Sequence, residues 1–426
     1  MFIVYDILLS IFAVLYIPFY IMRGKFHKGL FMRLGFIRRD VLDALGGRGS
    51  VWLHAVSVGE IVASRQLVTA LKSKYPQYDI IVSTVTRTGN ELAKKIVGEG
   101  VHVIYLPFDI SFIVKRVVKI LNPKILVLIE SELWPNLINV VSGAGSKIVI
   151  ANGRISVNSF KGYMFVRFLL KDILGRIDAF SMQTDADKDR FIKMGVEAGK
   201  VYVSGNIKYD ISESAGVNGA YMLSERRRFG LADGDKFIVA GSTHTGEEEY
   251  ILDTFRALKA KSANLRLMIA PRHIERSDRV AKIAEELGFT PIRVSRLDKE
   301  KISSDTVFIL DTIGHLSKLY SVADLVFIGG SLVEKGGHNP IEPAIYSKPI
   351  IFGAHMDNFK EISAQFIDNG AAICVKDKDA LGAAMTDVIF NEGKALGLGR
   401  NALRLVELSK GATMKNLKVI SDVLGK

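Results

Sequence analysis

Cysteine is almost missing from this chain: Cys374 is the only one in 426 residues. No disulfide framework and no cysteine-based metal site can be built from it, which suits a reducing compartment. The eight histidines fall at no metalloprotease spacing. Low-complexity segments and short-period repeats are absent as well. Acidic residues are in deficit, 45 against 57 Lys and Arg, for a net charge of +12, so the surface attracts polyanions. Nucleic acid is not the expected partner, because there is no aromatic-interleaved basic stripe, zinc spacing or RNP pattern. Nucleotides, phospholipids and phosphorylated glycolipids carry the same charge and stay open. The length is too great for one ordinary core and predicts two domains.

One long apolar run stands at the start. Phe2 to Met22 is apolar except for Asp6 and Ser10, about the length that spans a bilayer. No basic segment precedes it and no small-residue cleavage site follows, so it is not read as a removable signal peptide. Arg23, Lys25, Lys28, Arg33, Arg38 and Arg39 come next, with no acid before Asp40. The positive-inside rule keeps that flank, and everything after it, cytoplasmic. Membrane attachment is therefore expected over residues 1–22. Asp6 and Pro18 interrupt the span, which leaves a helix lying in the interface as its other form; a buried N-terminal helix with a solvated basic neck is the competing reading.

From residue 50 the chain alternates short β-branched runs with helical stretches. The first set reads VWLHA, IIVSTV, VHVIYLPF, KILVLIE, KIVIANG, AFSMQT and VYVSGN. After a polar stretch near 210–234 a second set reads KFIVAGST, LRLMIAP, PIRVS, VFILDT, LVFIGGS, PIIFGA and AAICVKD. Continuous apolar runs of this kind are parallel strands buried on both faces. The fold class predicted is α/β, two Rossmann-like doubly wound domains facing across a cleft. Ligands in such folds gather outside the carboxyl ends of the strands.

The unusual polar clusters fall at those ends. Glu60, after the first strand in HAVSVGE, is either a first-turn helix acid or a carboxylate placed to accept a proton from a hydroxyl; taken alone, the helix reading is the commoner. Glu130 and Glu132 end the KILVLIE strand, and capping explains one acid more easily than two. Asn206, Lys208 and Asp210 lie near the domain junction, where a lysine can meet an anionic substrate. In the second half, the hydroxyls and N–H groups of AGSTHTGEEE suit phosphate, while its acids read as ordinary capping. Arg272, in Pro271-Arg272-His273, is a phosphate ligand in type. Gly314 lets backbone approach a flat ring. Gly336 and Gly337 allow positive φ. Asn339, Pro340 and Glu342 read as N-cap, first-turn proline and N3 acid of a capping box, with Glu342 also able to accept from a ribose diol. Asp185 and Asp187 resemble an Asp-x-Asp metal pair, but capping is favoured.

Taken in order, HAVSVGE, ESELWPN, NGRIS, SGNIKYD, AGSTHTGEEE, APRH and GGSLVEKGGHNPIEPA resemble the Kdo transferases of lipopolysaccharide biosynthesis. The resemblance runs from about residue 23 to 420 and includes the N-terminal anchor. It implies the GT-B fold, with an anchor at 1–22, an acceptor-binding domain at 23–212 and a CMP-sugar-binding domain at 213–426 whose last helix packs back on the first. It implies inverting transfer of 3-deoxy-D-manno-octulosonic acid (Kdo) from CMP-Kdo to the lipid A precursor, on the cytoplasmic face of a bacterial inner membrane, without metal or cofactor. Glu60 is implied as general base, and Glu130 and Lys208 as transition-state stabilisers. CMP contacts are implied at Pro271 and Arg272, at Ile313, Gly314 and His315, and at Asn339, Pro340, Ile341 and Glu342. His315 replaces an acid found in some relatives, which points to backbone rather than side-chain contact there. The competing readings are a UDP-sugar transferase or epimerase on the same scaffold, and a membrane-bound nucleotide-binding scaffold.

Overall fold

A computed structural model describes residues 2, 4–11, 15, 29–210 and 216–425. The chain divides into two compact units, Met1–Asp210 with Ser409–Lys426, and Ile211–Leu408. All the apolar runs named above form strands. In the first unit these are β1 (Ser50–His54), β2 (Asp79–Thr84), β3 (Val101–Tyr105), β4 (Pro123–Ile129), β5 (Lys147–Gly153), β6 (Ala179–Met182) and β7 (Val201–Val203). They make one parallel sheet in the order β3-β2-β1-β4-β5-β6-β7. The second unit holds β8 (Lys236–Thr243), β9 (Leu265–Pro271), β10 (Thr290–Arg293), β11 (Thr306–Ile309), β12 (Leu325–Ile328), β13 (Ile350–Gly353) and β14 (Ile373–Val375), again all parallel, in the order β10-β11-β9-β8-β12-β13-β14.

The period-2 geometry of a strand sends alternate residues of one apolar run into two cores. In β4, Leu126 and Leu128 join Trp52, Ile148 and Phe180 on one face, while Ile125, Val127 and Ile129 join Val51, Leu53 and Val149 on the other. Each such aliphatic side chain stabilises the fold by about 1.5–3 kcal/mol relative to exposure. The indole N–H buried on β1 is satisfied: Trp52 Nε1 donates to Ser83 Oγ at 2.8 Å. In the second unit Phe229, Phe237 and Phe308 pack with ring centroids 5.0–6.1 Å apart.

Strand order reverses between β1 and β4 in the first sheet and, in the second, where β11 is also inserted between β9 and β10, between β8 and β12. At such a point neighbouring connections leave in opposite directions and open a crevice at the carboxyl edge. Five helices position what lies there: α1 (Val58–Lys74), α2 (Pro135–Gly143), α3 (Glu247–Lys259), α4 (Ile341–Ala344) and α5 (Ala412–Leu424). The last of these belongs to the first unit, although 198 residues of the second unit precede it (211–408). Asn416 on α5 accepts the Asn152 N–H at 2.9 Å, and Asp210 accepts from Gly411 and Thr413.

The anchor expected over residues 1–22 is described only at 2, 4–11 and 15, and residues 4–11 are helical. Asp6, read from sequence as an interruption of a span, is a clamp: its Oδ1 accepts from Ser111 N at 2.9 Å and from Asn136 Nδ2 at 2.7 Å. Tyr5 donates to Asp109 Oδ2 at 3.0 Å. Asp109 in turn caps α2 by accepting Asn136 N and Leu137 N at 3.0 and 2.7 Å, and burial pushes its carboxyl up to about 6. Val4, Ile7, Leu8, Ile11 and Leu15 are left exposed. Arg23, Lys25, Lys28 and the remaining anchor positions lie outside the described residues. Among the described residues no helix is long and apolar enough to cross a membrane.

The acids of AGSTHTGEEE do more than cap locally. Glu247 is fully buried and its carboxylate accepts four backbone N–H groups: His244 at 2.9 Å, Gly330 at 2.7 Å, Ser331 at 3.0 Å and Leu332 at 2.9 Å. Glu248, equally buried, takes a two-pronged ion pair from Arg276 at 2.7 and 3.2 Å and the Thr243 hydroxyl at 3.0 Å. Glu247→Gln puts an NH₂ against N–H donors and leaves buried groups unpaired. It is expected to destabilise the second unit by about 3 kcal/mol or more, read as a lowered denaturation midpoint; an unchanged midpoint refutes the assignment.

Candidate functional site

The first half-site surrounds the β1/β4 reversal. Ser57 N-caps α1 and Glu60 is its N3 residue, so the two form a reciprocal capping box. Glu60 Oε1 accepts Ser57 N at 3.2 Å and Oε2 accepts Val56 N at 2.8 Å. The helix reading of Glu60 is thus realised, but the box also buries the carboxyl to 7% exposure and fixes its direction. Burial pushes its pKa up and the nearby Glu130 charge adds to this, against the hydrogen bonds from Ser57 and Val56. A fixed carboxylate of raised basicity suits proton abstraction.

Glu130 follows β4 with φ 61°, a left-handed conformation that costs a non-glycine residue roughly 1–2 kcal/mol. The strain aims its carboxylate into a cationic frame. Oε2 meets Arg154 Nε at 2.9 Å and Oε1 lies 3.7 Å from Lys208 Nζ. Lys208 rides on a short 3₁₀ turn, Ile207–Tyr209, whose N-cap Asn206 accepts the Lys208 N–H at 3.0 Å. Asn152, also at positive φ, accepts the Ile207 N–H at 3.0 Å, and α5 holds Asn152 in place. Glu60, Glu130 and Lys208 are therefore brought to one strand edge. Arg154 was not singled out from sequence, although the NGRIS motif contains it. Glu132 joins the same acidic group: burial pushes its carboxyl up, with Glu60 and Glu130 adding. Beneath them the buried His54 is held neutral, its pKa lowered to about 4 by burial.

The second half-site surrounds the β8/β12 reversal. Gly329 has no alternative there, since a Cβ would stand 2.4 Å from the Ser242 carbonyl oxygen. Pro271 is buried at the end of β9 and Arg272 is exposed beyond it. Ile313, Gly314 and His315 form an exposed turn, with His315 Nδ1 2.9 Å from Thr312 Oγ1. The capping box predicted for residues 339–342 does not form. The helix begins one residue later than expected, with Pro340 as N-cap and no side-chain cap, because Asn339 Oδ1 instead accepts Ile341 N at 3.1 Å. Its amide meets Glu342 Oε1 at 3.4 Å, and burial pushes the Glu342 carboxyl up against that bond. At four residues, α4 is too short to supply a helix dipole for anion binding, and the exposed Arg272 is a cation of this edge. Asp185 and Asp187 are first-turn acids of the helix Asp185–Lys193, whose N-cap is Thr184; Asp187 also accepts the distant Ile155 N at 3.0 Å, a bond that capping does not predict. Among the described residues, no group of three His, Cys, Asp or Glu is placed to hold a metal ion.

The family described as 3-deoxy-D-manno-octulosonic-acid transferase (kdotransferase) matches residues 28–211. A 3-deoxy-D-manno-octulosonic acid transferase of Haemophilus influenzae is 34% identical over 376 residues, covering 88% of this chain and 87% of its own. A bifunctional glycosyltransferase/methyltransferase of Fusobacterium nucleatum is 38% identical over 367 residues, 85% of this chain, and the chain spans 55% of that relative's length. A crystal structure of a UDP-N-acetylglucosamine 2-epimerase shares the fold, with a TM-score of 0.57 at 13% identity over 88% of this chain and 95% of that one. Two parallel seven-stranded Rossmann-like sheets in one chain constitute the GT-B-like fold.

The conformation of Glu130 makes a reversed glycine–alanine order measurable. Both Glu130→Gly and Glu130→Ala remove the carboxylate, but only alanine keeps the left-handed strain. The glycine variant is expected to be the more stable by about 1 kcal/mol in equilibrium denaturation, and the opposite order would show that Glu130 is unstrained in solution.

Proposed function

The chain belongs to the 3-deoxy-D-manno-octulosonic acid transferase family, and from that membership we propose how its own residues carry the transfer. The donor is CMP-Kdo, held by the second unit, and the acceptor is a hydroxyl of the lipid A precursor, presented to the first. Residues 23–212 are the acceptor-binding domain and 213–426 the CMP-sugar-binding domain, with α5 returning to the first. Pro271 and Arg272 contact the CMP phosphate side, Ile313 to His315 offer backbone to the base, and Asn339 to Glu342 take the ribose.

The observation that carries this reading is the position of the two family acids: Glu60 and Glu130 flank the single strand-order reversal of the first sheet. In the step proposed, the acceptor oxygen bonds to the anomeric carbon as its bond to the CMP phosphate oxygen breaks, with inversion. The acceptor proton passes to Glu60, and the bonding electron pair leaves with CMP. Glu130 faces the oxocarbenium character that develops, and Lys208 balances the sugar carboxylate or the departing phosphate. No step runs through a metal or cofactor. A UDP-sugar enzyme on the same scaffold is the alternative, which a binding panel of CMP against UDP separates.

Docking at the inner membrane's cytoplasmic face is part of the proposal. Phe165 and Phe168 are 87% and 73% exposed on adjacent helices that also carry Lys161, Arg167 and Lys171, a mixture suited to an anionic lipid surface. Phe165→Ser with Phe168→Ser is expected to lower sedimentation with anionic vesicles several-fold; sedimentation equal to wild type sends the docking elsewhere.

Glu60→Gln is expected to lose two to four decades of turnover on CMP-Kdo and the lipid A precursor, with CMP affinity near normal. Because burial raises the Glu60 pKa, the base is lost as pH falls through a value above the ordinary glutamate range. The acidic limb of kcat/KM should therefore lie above that range in the wild type and vanish from the residual rate of the variant. Near wild-type turnover removes Glu60 from the mechanism.

A further inference from the structure

Two histidines meet at the strand-order reversal of the second sheet. His244 follows β8 and His338 follows β12, the two strands between which the order turns. Their Nε2 atoms are 3.1 Å apart, their planes are within 5° and their centroids 5.3 Å apart. That is the geometry of two rings joined nitrogen to nitrogen in one plane. An Nε2–Nε2 hydrogen bond needs one donor and one acceptor, so the pair holds a single proton between these atoms. His273, after β9, stands with its ring edge to His244 at 5.9 Å and 84°.

The surroundings are cationic. His244 faces His273, Lys335, Arg276 and Arg272; His338 faces Arg272, His244 and His273. The acids packed nearby are already engaged, Glu247 by four backbone N–H groups and Glu248 by Arg276. The pair is also sterically set. Gly330, at φ 67°, lies so close that a Cβ there would be 3.1 Å from His244 Cδ2 and 3.2 Å from His338 Cδ2. A cationic ring of this kind opposes a metal ion and favours an anion.

We propose that the His244–His338 pair is an anion-receiving site of the donor half, opened when a phosphate or carboxylate of the bound nucleotide sugar brings a second proton to the pair. The proposal rests on the donor reading given above and adds to it the residues that receive the charge. Without ligand, a second proton is opposed: burial first, and then the neighbouring cations, lower the pKa of both rings, that of His338 to about 4. An anion cancels that field. The second proton then breaks the Nε2–Nε2 bond, and each Nε2–H turns to the anion as donor. The sign follows. The liganded state binds more protons, so affinity rises as pH falls, by at most about tenfold per unit for one proton.

Calorimetry of full-length protein with CMP, in buffers of different ionisation enthalpy between pH 6 and 8, measures the proton taken up. The CMP phosphate contributes equally to wild type and variants, so their difference isolates the imidazoles. His338→Asn and His244→Asn are each expected to lose the imidazole share of the uptake and to weaken CMP roughly tenfold, with the imidazole part of the affinity gain at low pH gone. Imidazole nitrogen shifts of the wild type, recorded with and without CMP, give the same answer if a variant folds poorly. Proton uptake and pH dependence unchanged in both variants, or imidazole shifts unmoved by CMP, overturn the proposal. UMP and inorganic phosphate separate this from the donor reading. If UMP matches or exceeds CMP while uptake still depends on the histidines, the cytidine assignment falls and the anion site stands.

Discussion

A buried carboxylate accepting backbone N–H groups is the interaction on which both half-sites depend. Parallel strands that end at a common edge pass into helices and loops whose first N–H groups have no ladder partner. Here the chain satisfies them with acids from outside the ladder. Glu60 takes Val56 and Ser57, Asp109 takes Asn136 and Leu137, Asp210 takes Gly411 and Thr413, and Glu247 takes four donors on two loops. A carboxylate surrounded in this way is immobile, and its immobility fixes whatever side chain shares its loop. Glu60 is both the holder and the residue proposed as the base. Glu247 is only a holder, and what it holds is His244 on one side and the Gly330 turn beneath His338 on the other.

The same logic divides what was legible in the sequence from what was not. The strands were legible because burial on both faces leaves no polar alternation to misread; β4 is nearly a pure aliphatic run. Glu60 was legible as a capping acid, and the structure forms that capping box; the same box buries the carboxyl that is proposed as the base. The capping box at Asn339–Glu342 was misplaced because an asparagine two residues before a helix can satisfy the same N–H as one at the cap. Long-range acceptors were illegible: nothing local in GEEE tells Glu247, which reaches 83 to 85 residues along the chain, from Glu249. Arg154 was hidden for the same reason, its partner Glu130 being 24 residues away. Asp6 reads as a flaw in an apolar run only until its partners Ser111 and Asn136 are known.

The two half-sites also contrast in charge. The first gathers carboxylates, Glu60, Glu130 and Glu132, tempered by Arg154 and Lys208. The second gathers imidazoles and guanidinium groups, with its acids turned inward. Negative charge thus collects at the first strand edge and positive charge at the second, so the net charge of +12 is not spread evenly over the two.

The C-terminal helix makes the order of synthesis matter. Asp210 and its partner Gly411 are 201 residues apart, which at roughly 5–20 residues per second is about 10–40 s of translation. For that time the first sheet is already out of the ribosome while the helix that steadies Asn152 and the Lys208 turn has not been made. The second unit, whose residues are contiguous, is complete before the first. The nascent chain thus carries a finished second unit and an unbraced first one, and the Lys208 turn gains its support only with the last residues to be translated.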